Sequence, residues 1–211
     1  MNFEILSLAL ISIIIGVTPL LVHRVKVTVL FIAAAAYFTA IASKGVIQLA
    51  FLKFFITPQI PTFLAYGALT AITEPGFAYL FVRLVRQDPE GYGISLAFWE
   101  NAVVVGLGDL ALALYEPPLN QPFIDLVLVK IMDRLGSLFV HYSWGVCAYL
   151  SYKSRDIRYI ISVAPLGFID SLGSYVALTH ANYFIASIPA LVFGIVGFTV
   201  TRYYMRKKDY L

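Results

Sequence analysis

This chain of 211 residues is 60% hydrophobic and 13% charged, with a mean hydropathy of +0.84, and would expose too much apolar surface to stay dissolved in water. A soluble enzyme and a separate soluble domain are both excluded, which leaves an all-α polytopic transmembrane bundle forming one domain over residues 1–211. The formal charge of +3 is no nucleic-acid signal, because the basic residues gather at His23-Arg24-Val25-Lys26, Arg83 to Arg86, Lys153 to Arg158 and Arg202 to Lys208, each beside the end of an apolar run.

In chain order, runs near the crossing length of about 20 residues fall at 5–22, 27–43, 61–83, 93–115, 122–151, 158–179 and 183–202. Glu4 stands where a signal peptide would be basic, and no small-x-small cleavage site precedes Val22, so the first run reads as a retained span. Between the second and third, Val46 to Thr57 would make a helix of roughly 18 Å, short of a hydrocarbon core of about 30 Å. If it does not cross, all four basic clusters lie on one face. The positive-inside rule then gives seven spans plus a short re-entrant or interfacial segment, with the N-terminus outside and the C-terminus in the cytoplasm of a prokaryotic cell. The segments 57–61 and 116–122 read as connections, and no internal repeat is present.

Four of these runs enclose ionisable residues: Glu74, Glu100, His141 and Asp170. Each charged group at mid-membrane costs roughly 2.5 to 3.5 kcal/mol, so their retention points to a shared use. Counted from the inner ends they sit about 13, 10, 15 and 18 Å deep, in one layer. Pro75 cannot donate a hydrogen bond and Gly76 thins the helix, so a kink that opens space is expected beside Glu74; Thr70 or Thr73 could instead satisfy the freed carbonyl. Glu100 lies between Trp99 and Asn101 and is a candidate base, proton carrier or counter-ion to Arg134. In the fifth run Lys130, Arg134 and His141 share a stripe, and Asp133 lies within pairing distance of Lys130. The bland alternative is an internal ion-pair staple.

No soluble active-site template is present. Cys147 is the single cysteine and forms neither a disulfide nor a thiolate cluster, Ser137 four residues before His141 lacks an oxyanion site, and Gly106-Leu107-Gly108 reads as close helix packing. No metal and no cofactor are expected.

The run Ala71-Ile72-Thr73-Glu74-Pro75-Gly76-Phe77, with Tyr92-Gly93 to Trp99-Glu100, Asp133-Arg134 followed by His141, and Ala164 to Asp170, resembles the YhfC-type intramembrane proteases, related to the CAAX-processing and bacteriocin-processing enzymes. The likeness covers about residues 60–175. It implies a site in which Glu74, Glu100, His141 and Asp170 act on a peptide bond through activated water, supported by Arg134, Asp133 and Lys130. Three family positions differ: Thr73 replaces a glutamate, Phe77 an arginine, and the final histidine position, around Leu166, is apolar. The expected role is therefore a degenerate protease-like subunit or chaperone that binds another membrane protein within the bilayer. An active glutamate-dependent protease cutting a membrane-embedded peptide, and a small proton-coupled carrier, are the alternatives.

Overall fold

The computed structural model describes residues 2–115 and 122–207. The connection expected at 116–122 falls almost wholly outside them, as does Lys208. Among the described residues there are seven long helices: α1 Phe3–His23, α2 Val27–Ala50, α3 Ile60–Phe81, α4 Pro89–Leu112, α5 Phe123–Ser154, α6 Arg158–Thr179 and α7 Phe184–Lys207. All but α3 and α5 are long and apolar enough to cross a membrane. Those two, of 22 and 32 residues, are long enough but more polar, and they carry Glu74 and His141.

Local chemistry accounts for the helix ends. The Asn2 side chain accepts from the Glu4 and Ile5 amides at 3.0 and 3.3 Å, and the Asp88 carboxylate accepts from the Gly91 amide at 2.8 Å, each satisfying donors that a first helical turn leaves free. Helices α1, α5 and α6 each stop at a left-handed residue, Arg24, Arg155 and His180.

The segment expected at 46–57 is not a separate element. Helix α2 continues to Ala50, and only one turn, Leu52–Phe55, precedes α3. Lys44 suggests a span end in the sequence, yet it turns inward, and no proline interrupts the helix before residue 50.

Helix α5 is the central strut, packed by α1, α3, α4, α6 and α7. Every residue from Val140 to Ser151 is buried, so this half has no polar face to reveal its orientation. The neighbours come close through glycine. A Cβ on Gly93 of α4 would stand 2.5 Å from the Tyr142 carbonyl oxygen, and one on Gly136 would stand 2.6 Å from the Ala190 carbonyl carbon of α7. Gly106 packs on α1, where a Cβ would lie 2.6 Å from Ile13, whereas Gly108 has open space and does not serve packing.

The segments bearing the four basic clusters meet at one end of the bundle. His23 Nε2 lies 2.9 Å from Asp88, Arg202 donates to Glu90 at 2.6 Å, and the Tyr149 hydroxyl donates to the Arg86 carbonyl at 3.2 Å. At the opposite end the Asn2 amide donates to the Ala113 carbonyl at 2.7 Å.

Candidate acid–base site in the bundle interior

Three irregularities in the helices surround one cavity. Pro75 lies inside α3, α4 widens into π-helical turns over Trp99–Gly106, and α6 tightens into a 3-10 stretch over Ala164–Phe168. The Leu107 amide reaches back to the Ala102 carbonyl, five residues earlier. In α6 the narrow stretch lets Gly167 press on α3, where a Cβ would come 2.9 Å from the Thr70 carbonyl carbon. Thr73 bonds the Leu69 carbonyl at 2.8 Å, one turn back, rather than the carbonyl that Pro75 frees.

The cavity has a volume of about 300 Å³. At roughly 30 Å³ per water it has room for about ten. Glu74, Glu100, Asp133, Arg134, His141 and Asp170 all line it, so residues separated by up to 96 positions in the chain converge as their order suggests. Lys130 does not. It was expected to pair with Asp133, yet its ammonium reaches Asp109 at 2.6 Å, because Asp133 is taken by Arg134 at 2.6 and 3.1 Å. Asp109 is thus half of an ion pair.

Four residues not expected at the site complete it. Lys44 of α2 donates to Glu74 Oε1, lies 3.4 Å from the Thr70 hydroxyl and 3.8 Å from Asp170. Thr70 donates to the Asp170 carboxylate, and Tyr37 donates to Glu100. Asn101 holds Arg134, whose Nη1 also stands 3.4 Å from Glu100 Oε1. Lys44 had a visible signal, an ammonium at the edge of an apolar run. Tyr37 and Thr70 had none, since hydroxyls are common in membrane helices.

His141 fixes the proton count at the centre. Its Nδ1 lies 2.9 Å from the Ser137 carbonyl oxygen, which can only accept, so Nδ1 carries a hydrogen. Its Nε2 lies 3.0 Å from Glu74 Oε2, a contact that requires another proton between imidazole and carboxylate. The pair is buried, each side chain only 8% exposed, and the ring is walled by Trp144 and Tyr37 at centroid distances of 5.1 and 5.9 Å.

Four carboxylates, Glu74, Glu100, Asp133 and Asp170, face two permanent cations, Lys44 and Arg134. The surplus is two negative charges, reduced to one by the proton that Glu74 and His141 share. Among the described residues no group of three or more His, Cys, Asp and Glu side chains is placed to hold a metal ion. Leu166 forms part of the cavity wall, an apolar surface where the resemblance implies a histidine.

No family model matches this chain, and neither does any curated protein or solved structure.

Proposed function

We propose that the chain is a membrane-embedded acid–base hydrolase in which Glu74 and His141 act on a peptide bond presented within the bilayer. The observation that carries this reading is the buried Glu74–His141 pair, 3.0 Å apart and sharing a proton, on a cavity large enough for water. A water beside Glu74 gives up a proton to the carboxylate as its oxygen attacks the carbonyl carbon. His141 delivers the shared proton to the departing amine, and the Lys44 ammonium faces the oxyanion. The C–N bond breaks, and a carboxyl and an amine form. Asp170 and Thr70 keep Lys44 in place, while Arg134 and Asn101 anchor Glu100.

The surroundings of the site fit the bilayer reading. Seven crossings, with the N-terminus outside and the C-terminus in the cytoplasm of a prokaryotic plasma membrane, would put the basic clusters on one inner face, and the gathering of those segments at one end of the bundle supports this. The resemblance to YhfC-type proteases, which departs at Thr73, Phe77 and Leu166, bears on the fold of residues 60–175 more than on hydrolysis.

The surplus of carboxylates favours a second reading, a small proton-coupled carrier in which Glu74, Glu100 and Asp170 exchange protons or a cation. A partner-binding subunit or chaperone has no evident use for four carboxylates around a cavity, and a protein of that kind would be recovered with a stoichiometric partner after gentle detergent extraction.

The test uses purified protein in liposomes with labelled single-span peptides. Hydrolysis requires cleavage that Glu74→Gln and His141→Gln each lower by about 100-fold or more in protein that stays folded and monodisperse. Absence of cleavage across the peptide panel, together with proton movement into the vesicles that Asp170→Asn abolishes, would replace it with the carrier.

A further inference from the structure

Asp170 belongs to two cavities. One is the acid–base cavity; the other, of about 260 Å³, lies between α3 and α6 and is lined by Tyr66, Asp170, Gly173, Ser174, Ala177 and Leu178. The exposures differ sharply: the Glu74 side chain is 8% exposed and that of Asp170 is 46%. One accessible carboxylate thus borders both cavities.

The walls of this crevice suit a permanent opening. Tyr66, on one wall, is anchored in place, its hydroxyl donating to the Phe55 carbonyl at 3.2 Å and its ring resting edge-on against Phe55 at 5.0 Å. Opposite, Gly173 contributes no side chain, and a Cβ there would meet nothing within 4 Å. The other accessible carboxylate on the cavity, Asp133, is closed off by its two bonds from Arg134 at 2.6 and 3.1 Å. Asp170 is held more loosely: Thr70 donates to it, and the Lys44 ammonium stands 3.8 Å away, closer to Glu74 than to Asp170. Its negative charge therefore faces whatever passes.

We infer that the crevice between α3 and α6 is the way in to the acid–base cavity, and that Asp170 filters it by charge, admitting water, protons and small cations while repelling anions. The inference rests on the proposed role of that cavity, but its test reads access and not turnover, so failure of one leaves the other standing.

A reporter thiol is set in the inner cavity as Ser137→Cys; the native Cys147 is buried and serves as the unreactive background. The thiol is treated with two methanethiosulfonates of opposite fixed charge, ethyltrimethylammonium and ethylsulfonate. The cationic reagent is expected to react at least about tenfold faster, since a unit charge a few ångströms away outweighs thermal energy at a partly desolvated site. Adding Asp170→Asn should bring the two rates within about threefold of each other. Adding Gly173→Trp, at a position where a Cβ has open space, should slow both reagents by at least about tenfold, while Gly45→Trp, at a second position with open space, leaves them unchanged. The inference is overturned if the folded Gly173→Trp protein labels at the original rate, if a Val104→Trp plug elsewhere on the inner cavity's wall slows labelling instead, if the reporter reacts with neither reagent, or if the charge preference survives Asp170→Asn.

Discussion

Arg134 and Asn101 hold each other in both directions: the arginine Nη1 donates to Asn101 Oδ1 at 3.1 Å, and Asn101 Nδ2 donates to the backbone carbonyl of Arg134 at 3.1 Å. Asn101 is fully buried and Arg134 is 7% exposed, so neither group can turn to solvent. Asn101→Ala removes both bonds and is expected to destabilise the protein by about 1–3 kcal/mol. Denaturant unfolding in mixed micelles measures it, and an unchanged midpoint would show that Glu100 and Asp133 suffice for Arg134.

Lys44 is the ammonium on which Glu74 and Asp170 both depend. Lys44→Met leaves an unpaired buried carboxylate and is expected to cost about 3–5 kcal/mol. Adding Glu74→Gln should restore part of the loss, giving a coupling energy above about 1 kcal/mol in a double-mutant cycle. By contrast Lys130→Met, whose partner Asp109 is 20% exposed, is expected to cost no more than about 1 kcal/mol. Equal losses at the two lysines would contradict the division between an interior site and a peripheral pair.

Glycines on this bundle should divide by what surrounds them. At Gly93 a Cβ would stand 2.5 Å from the Tyr142 carbonyl oxygen and 2.8 Å from its Cα, so Gly93→Ala must push α4 and α5 apart. The expected loss is about 1–3 kcal/mol. At Gly76 a Cβ meets nothing within 4 Å, and Gly76→Ala is expected to stabilise by about 0.5–1 kcal/mol through helix propensity alone. Thermal unfolding of the two variants should move in opposite directions.

Leu166 offers a gain-of-function test. It is 8% exposed, lines the cavity and stands where the resemblance implies histidine. Under the hydrolase reading Leu166→His supplies a second imidazole beside Asp170 and Glu74, and the initial rate of peptide cleavage should rise about tenfold, as expected for even a modestly placed general acid or base. A folded variant whose rate is unchanged would argue that the apolar wall at this position belongs to the native function.

The elements that could be read from the amino acids were those with a strong local cause. Apolar runs near 20 residues set helices α1, α4, α6 and α7 to within a few residues, and the connection at 57–61 and the basic clusters marked where helices start and stop. Helix α2 was the exception. The apolar run ends at residue 43, before Lys44, whereas in the fold the Lys44 ammonium meets Glu74 and the helix continues to Ala50. The error at Lys130 had the same origin, since a spacing of three permits a bond with Asp133 and cannot say which neighbour competes for it.

The amino-acid sequence by itself determined that this is a membrane protein made of helices, and that Glu74, Glu100, His141 and Asp170 lie in four separate apolar runs, because hydrophobic burial acts along the chain. Only the tertiary structure decided that these groups share one cavity, that Glu74 lies between Lys44 and His141, and that Asp170 also borders a second space. Those outcomes depend on how helices rotate about their own axes and how closely glycine lets them approach. On α5, buried on every side over twelve residues from Val140 to Ser151, no pattern of polarity could reveal that rotation.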